Sequence, residues 1–205
     1  PHGYGANLLM YNTDVVKPAP DSWNIVWDKG AQYKGKITAY DSPIYIADAA
    51  LYLKATKPDL KIKDPYALDD KQFKAAMSLL EDQKENIGEY WSDYALSQSA
   101  FASGSIVAGT TWQVIANLLT AENAPVATVL PKEGSTGWSD TWMISSKAAH
   151  PNCMYKWMDH IISPKANAAV AEYFGEAPSN LKACSETSDP KHCETYHADD
   201  DKFIN

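Results

Sequence analysis

Apolar strand-like segments alternate with helical segments along most of this chain of 205 residues. The strand-like segments lie at 5–12, 36–40, 105–110, 126–130 and 138–144. The helical segments lie at 44–55, 70–86, 93–102, 112–119, 151–162 and 164–174. This alternation is typical of a layered α/β domain, because each helix buries its apolar stripe against a sheet. We therefore predict an α/β fold with a mixed β-sheet flanked by helices.

Three polar segments predict where helices begin. Residues 41–43, Asp-Ser-Pro, combine two residue types that cap helices with a proline suited to the first turn. Residues 69–70 and 92–93 supply further Asp or Ser candidates for an N-cap. We expect a side chain of each segment to cap the helix that follows it.

Charge and aromatic content restrict the class of ligand. The formal net charge is −8, and all 18 basic residues are lysines. A surface of this sign repels phosphate backbones, which argues against nucleic acid as a partner. Without arginine, the chain has no planar group for bidentate binding of carboxylates or phosphates. Seven Trp and twelve Tyr favour a cationic or sugar-like ligand, since aromatic faces attract cations.

The three cysteines indicate an oxidising compartment. Cys184 and Cys193 enclose a short polar loop, and we predict a disulfide between them. Zinc is the alternative, because His192 and His197 lie nearby, although the spacing matches no common zinc motif. Cys153 is left over, and it is either buried or paired with a cysteine outside this chain.

The sequence contains no motif that makes a positive case for catalysis. The glycines around Tyr4 lack the third glycine and the following helix of a dinucleotide site. A phosphate-binding Walker loop and a GxSxG nucleophile motif are also missing from the sequence. The apolar runs fall short of the ~20 residues that a membrane helix needs. We predict no enzyme activity, no cofactor and no metal site.

Several segments resemble one family of transport proteins. They are the opening GANLLMYN (5–12), Trp23 and Trp27, Tyr33-Lys34-Gly35-Lys36, Asp41-Ser42-Pro43, Pro131-Lys132-Glu133-Gly134 and Trp138-Ser139-Asp140. Together they resemble the bacterial spermidine/putrescine-binding proteins, the extracellular receptors of polyamine ABC importers. The resemblance runs in register to about Asn180.

The resemblance implies a type II periplasmic-binding-protein-like lobe over residues 1–180, followed by a loop or tail over 181–205. It also implies that the family's first lobe is missing from the sequence. By the same resemblance, the protein binds a small cationic solute such as putrescine or spermidine in an interlobe cleft. Its protein partner is the permease of the importer, and we expect a monomer. The expected location is periplasmic or extracellular, with a membrane anchor allowed in the full-length protein.

The resemblance also assigns the ligand-binding residues. Trp138 and Asp140 match the family's amine-binding tryptophan and aspartate, and their spacing puts both on one face of a strand. Trp112 matches a second stacking tryptophan, and Ser92 matches a serine at a helix start. A carboxylate pairs with an ammonium group, and an indole face packs against methylene groups and attracts the charge.

Four further candidates depart from the family pattern or have a lesser role. Asp41 is present, but Ser42 and Tyr45 stand where we expect carboxylates for inner amines. Glu176 stands where we expect an aromatic residue. These differences leave a shorter diamine, or a cation with a single charged end, open as the solute.

Two other hypotheses are compatible with the sequence. The first is a secreted carbohydrate-active enzyme with an aromatic-lined cleft, which needs two facing carboxylates about 5–10 Å apart. The second keeps the receptor fold but gives it a different small solute, such as an anion or a metal. The missing arginine and the scattered histidines argue against that second hypothesis.

Overall fold

The computed structural model describes residues 1–200 and Phe203. The chain forms two compact units: unit 1 contains Pro1–Ala6 and Gly137–Asn205, and unit 2 contains Asn7–Thr136. The chain therefore passes between the units after Ala6 and again after Thr136. The predicted boundary between residues 180 and 181 stays a prediction, and positions 201, 202, 204 and 205 of the predicted tail lie outside the described residues.

The secondary structure follows the predicted alternation. The strands are β1 (Gly3–Ala6), β2 (Leu8–Asn12), β3 (Ile37–Tyr40), β4 (Ile87–Trp91), β5 (Ala108–Thr111), β6 (Val126–Val129), β7 (Gly137–Asp140) and β8 (Ala177–Pro178). The α-helices are α1 (Ile44–Thr56), α2 (Asp70–Gln83), α3 (Tyr94–Ala102), α4 (Gln113–Ala121), α5 (Pro151–Ile161), α6 (Pro164–Phe174) and α7 (His192–Thr195). Sheets flanked by helices confirm the predicted α/β class, and the larger of the two sheets is mixed.

Unit 2 contains a five-stranded mixed sheet in the order β4-β3-β5-β2-β6. Strand β3 is parallel to both β4 and β5, whereas β2 is antiparallel to β5 and β6. Two apolar clusters pack on this sheet; the larger includes Leu9, Trp23, Trp27, Ile37 and Tyr52, all of them buried. The parallel strands β4, β3 and β5 bring their carboxyl ends to one edge of the sheet.

Helix starts in unit 2 agree only in part with the sequence. The side chain of Asp69 accepts a hydrogen bond from the Gln72 N–H and forms a capping box at the start of α2, as expected. Asp93 caps α3 by accepting from the Ala95 N–H. The expected cap of α1 by Asp41 or Ser42 is wrong, because α1 begins after Pro43 without a side-chain cap.

Strand β4 was not predicted from the sequence. Its segment, IGEYW, alternates between half-buried and exposed residues and carries a glycine that weakens the strand pattern. The structure explains the glycine, because a Cβ at Gly88 would collide with the carbonyl group of Gly35. Gly88 is therefore required by a close backbone approach beside the strand.

Two of the segments that carry the family resemblance, the one at Trp23 and the PKEG segment at 131–134, are hydrogen-bonded to each other in unit 2. The carboxylate of Glu133 accepts hydrogen bonds from the Ser22 hydroxyl and from the Trp23 N–H. The Gly134 carbonyl accepts from the indole Nε1–H of Trp23 at 2.8 Å. The PKEG segment therefore holds the buried helical turn at 23–25 in place.

Unit 1 contains a three-stranded antiparallel sheet in the order β7-β1-β8, packed beside α6 and α7. Cys184 and Cys193 form the predicted disulfide, and Cys153 is a free, exposed cysteine. Strand β7 ends at Asp140, four residues earlier than the prediction. Across the described residues, no helix is long and apolar enough to span a membrane.

Candidate functional site

Each unit contains a group of the predicted ligand-binding residues. The strand-end group in unit 2 consists of Asp41, Ser42, Ser92 and Trp112. The glycine-face group in unit 1 consists of Trp138, Asp140 and Glu176. Tyr45, the remaining candidate, belongs to neither group.

The strand-end group follows the carboxyl ends of three neighbouring parallel strands. Asp41 and Ser42 follow β3, Ser92 follows β4, and Trp112 follows β5. In open α/β sheets, ligands bind at this edge, since loops and helix starts converge there. Sequence segments far apart in the chain thus meet at one edge of unit 2.

Three aromatic rings form the base of the strand-end group. The ring centroids of Tyr40 and Trp91 lie 4.6 Å apart, and Trp112 meets Trp91 edge-to-face at 5.0 Å and Tyr40 at 5.4 Å. Trp91 is fully buried, whereas Tyr40 and Trp112 are half-buried. Sequence analysis missed Tyr40 and Trp91, although each is the last residue of its strand, directly before a loop of the group.

The polar members of the strand-end group are accessible. Asp41 and Ser92 are exposed, and Ser42 is half-buried. The backbone N–H of Asp41 donates to the Trp91 carbonyl at 2.8 Å, which fixes the loop after β3. Burial, followed by the negative charge of Asp41, raises the pKa of Tyr90. The group therefore combines a carboxylate, two hydroxyl groups and an indole ring.

The prediction of Tyr45 as a ligand-binding residue is corrected, because the structure places Tyr45 in the core of unit 2. Only 5% of Tyr45 is exposed, its ring stacks on Trp27 with centroids 5.2 Å apart, and its hydroxyl donates to Gln83 Oε1 at 2.9 Å. Burial raises the pKa of Tyr45 well above its usual value. Its position on the inner side of α1 makes it a packing residue.

The glycine-face group is built on strand pairing between β1 and β7. Gly3 lies opposite Asp140 and Gly5 lies opposite Trp138, so these four positions share one face of the sheet. The Trp138 ring occupies the space above Gly5, where a Cβ would lie 2.5 Å from the indole. The Glu176 carboxylate occupies the equivalent space above Gly3. Glycine at both positions leaves this face to an indole ring and two acidic residues.

Glu176 is a buried carboxylate of unit 1 with a strongly perturbed pKa. It is only 1% exposed, and neither carboxylate oxygen has a hydrogen-bond partner within residues 1–200 and Phe203. His2 Nδ1 lies 3.2 Å from Oε1, and His192 Nε2–H donates to the Glu176 carbonyl at 2.9 Å. Burial, followed by the negative charge of Asp140, raises the pKa of Glu176 to about 7.

This electrostatic arrangement favours a cation. The negative charge of Asp140 disfavours ionisation of Glu176, and a positive group close to both carboxylates would favour the charged form of Glu176. Asp140 itself is exposed, so an ammonium group can reach it from solvent.

Sequence analysis missed His2, because the residues around it in the sequence give no sign that it contacts Glu176, 174 positions away. No cluster of three or more metal-binding side chains occurs in the part of the chain that the structure describes.

Comparisons with known proteins agree with this chemistry. A family model described as bacterial extracellular solute-binding protein matches residues 1–195. The spermidine/putrescine-binding periplasmic protein of Escherichia coli is 26% identical over 184 residues, which are 89% of this chain and 50% of the relative. The chain thus spans about half the length of the curated relatives it matches.

Solved structures share the fold. The spermidine/putrescine ABC transporter substrate-binding protein of Streptococcus pneumoniae aligns with a TM-score of 0.74 at 20% identity, covering 100% of this chain and 60% of that protein. A GABA receptor aligns with a TM-score of 0.80 at 25% identity, covering 98% of this chain and 59% of the other. The type II periplasmic-binding-protein fold and the resemblance to polyamine-binding proteins are confirmed. The chain belongs to the bacterial extracellular solute-binding protein family.

Proposed function

We propose that this chain is part of the solute-binding component of an ABC importer and that it binds a small organic cation. Polyamines such as putrescine or spermidine are the favoured solutes. The observation that carries the proposal is the shared face of Trp138 and Asp140 above the two glycines of β1. An indole ring and an exposed carboxylate two residues apart suit an alkyl chain that ends in an ammonium group.

The proposed roles of the residues follow from their surroundings. Asp140 pairs with an ammonium group, Trp138 packs against the methylene groups, and Glu176 adds negative charge beside Asp140. In unit 2, Trp112 stacks on the solute, while Asp41, Ser42 and Ser92 supply polar contacts. Tyr45 has no proposed role in binding, because its ring is in the core and its hydroxyl is hydrogen-bonded to Gln83.

Family membership supports the remaining parts of the proposal. The partner is the permease of the importer, the protein acts outside the cytoplasmic membrane, and it works as a monomer. The solute is released without chemical change, so we propose no enzyme activity. The GABA receptor among the structural neighbours supports a second candidate solute, one with a single ammonium end.

A ligand series tests the proposal. The 205-residue chain, labelled with ¹⁵N, is titrated with putrescine, spermidine, GABA and 1,4-butanediol while the tryptophan indole signals are followed. Butanediol is the matched control, because it has the carbon chain of putrescine without the charges. We expect putrescine to shift the Trp112 and Trp138 signals and butanediol to leave them unchanged.

Other outcomes of this series select among the hypotheses. Equal shifts with putrescine and butanediol would refute binding through the ammonium group. Shifts with GABA alone would retain the receptor function and replace the polyamine by a solute with one ammonium. Glycoside hydrolysis by the purified chain would favour the carbohydrate-active enzyme instead.

A further inference from the structure

A buried chain of hydrogen bonds in unit 2 ends at the indole of Trp112. The Trp112 Nε1–H donates to Asn7 Oδ1 at 3.1 Å, and Asn7 Nδ2–H donates to Thr136 Oγ1 at 2.7 Å. The Thr136 hydroxyl donates in turn to Asp48 Oδ1. Asn7, Thr136 and Asp48 are all buried, although these three residues come from three distant segments of the sequence.

The indole of Trp112 sets the direction of every bond in this chain. Its N–H can only donate, so Asn7 must turn Oδ1 toward Trp112 and Nδ2–H toward Thr136, whose hydroxyl then donates to Asp48 Oδ1. The oxygen of Thr136 is then the acceptor for the amide nitrogen of Asn7. A reversed Asn7 amide would place two donors against each other.

Asp48 is retained at this position although it is costly to bury. It lies on the inner side of α1, and its Oδ2 atom has no hydrogen-bond partner among residues 1–200 and Phe203. A buried carboxylate with an unsatisfied oxygen destabilises a fold, whereas an apolar residue of similar size does not. Polar groups kept in a core at such a cost often define one specific arrangement.

The anchoring of the indole has a second component. The edges of Trp91 and Tyr40 confine the plane of the Trp112 ring, with interplanar angles of 82° and 70°. The bond to Asn7 additionally fixes which edge of the indole points into unit 2. A stacking residue binds more tightly when its ring is already held in the bound orientation.

We propose that Asp48, Thr136 and Asn7 are positioning residues that hold the indole of Trp112 in its ligand-binding orientation. The inference rests on the proposed function, since it takes Trp112 as a residue that stacks on the solute. It adds a second set of residues that determine solute affinity without touching the solute.

The first test follows the indole signal of Trp112 without any ligand. Thr136→Val removes the hydroxyl and keeps the shape of the side chain, whereas Thr136→Ser keeps the hydroxyl. We expect Thr136→Val to shift the Trp112 Nε1–H signal and speed its exchange with solvent, and Thr136→Ser to retain the wild-type signal. The control is the indole signal of Trp23, whose Nε1–H donates to the Gly134 carbonyl in the same unit.

The second test replaces Asp48 and measures affinity for putrescine. Asp48→Asn keeps an oxygen that can accept from Thr136, whereas Asp48→Leu keeps only the approximate size. We expect Asp48→Leu to weaken putrescine binding by about three- to tenfold, the effect of one lost hydrogen bond, and Asp48→Asn to weaken it less. In a Trp112→Phe background, both substitutions should leave the affinity unchanged, because the phenyl ring cannot donate to Asn7.

The two tests separate failure of the inference from failure of the proposed function. An unchanged Trp112 signal in Thr136→Val, or a slow-exchanging signal that persists in Asp48→Leu, would overturn the positioning role. If putrescine fails to bind wild type, the indole signals still decide whether the hydrogen-bond chain holds Trp112. If Asp48→Leu does not fold, the positioning role is tested by Thr136→Val and by the exchange rate of the Trp112 indole N–H in wild type. Rapid exchange of that N–H with solvent in wild type would overturn the inference.

Discussion

Replacing Asp48 with asparagine removes an ionisable group from the interior of unit 2 and keeps an acceptor oxygen for Thr136. Burial raises the pKa of Asp48 from its ordinary value of 3.8 to about 7, against the opposing effect of the hydrogen bonds from Thr136. In the folded state the carboxyl group therefore keeps its proton at pH values where the unfolded chain has released it.

The sign of the pH effect follows from this difference. Between about pH 4 and pH 7, the folded state binds the proton and the unfolded state does not, so the free energy of unfolding falls as pH rises. Since one pKa unit corresponds to about 1.4 kcal/mol, the rise from 3.8 to about 7 amounts to ~4 kcal/mol above pH 7. Below about pH 4, this cost disappears.

Urea unfolding of wild type and Asp48→Asn at about pH 5 and about pH 8.5 measures the effect. We expect the stability of Asp48→Asn relative to wild type to increase by ~2–3 kcal/mol between these two pH values. Any cost of the buried amide group is the same at both pH values and cancels in the comparison. Asp59→Asn is the matched control, because Asp59 is an exposed acidic residue of the same unit, and its effect should stay within about 0.5 kcal/mol.

An equal stability difference at both pH values would refute the account of Asp48 as a buried carboxyl group that ionises near neutral pH. A larger advantage of Asp48→Asn at the lower pH would contradict the sign of the argument. Glu176 also ionises near pH 7, but it is present in both proteins and so contributes equally to the two curves.

Four further predictions concern the two units. Glu133→Ala should lower the free energy of unfolding by about 2 kcal/mol in urea titrations, since it leaves the Trp23 N–H without its acceptor; no loss would contradict the structural role of the PKEG segment. Cys184→Ser should cost about 3 kcal/mol, the value for a loop closed over nine residues, and an unchanged melting curve would contradict it. Gly5→Ala should weaken putrescine binding in a calorimetric titration, because its Cβ displaces the Trp138 ring, and wild-type affinity would show that the ring position is unimportant. As pH increases toward 7, putrescine affinity should rise by up to about tenfold per pH unit, and it should level off above pH 7, since the cation favours ionised Glu176. Glu176→Gln should flatten this pH profile, and an unchanged profile would exclude Glu176 as its cause.

The order of strands and helices could be predicted from the sequence because it is local. Apolar periodicity, Asp69 as an N-cap and the prolines at the first positions of α5 and α6 each act within a few residues of the element they define. Strand β4 was missed for the same reason. Its glycine is explained only by a backbone segment about fifty residues earlier in the chain.

The candidate site could be predicted only where one short segment carries it. Trp138 and Asp140 share a strand, so their spacing alone indicates a common face. The contact between Glu176 and His2 depends on strands at opposite ends of the chain, and no local pattern indicates it. Tyr45 was misassigned because a family position does not show which side of helix α1 faces the core. The role of Asp48 was equally hidden, since a single acidic residue in a helix usually faces solvent.

The central claim is that Asp140 and Trp138 bind the ammonium end of a small organic cation. Calorimetric titration of putrescine into wild type and Asp140→Asn, at low and at physiological salt, tests it most directly. The account predicts that Asp140→Asn weakens binding by about tenfold or more and reduces the salt dependence, because the substitution removes the charged partner of the ammonium group. Equal affinities and equal salt dependence of the two proteins would contradict the claim.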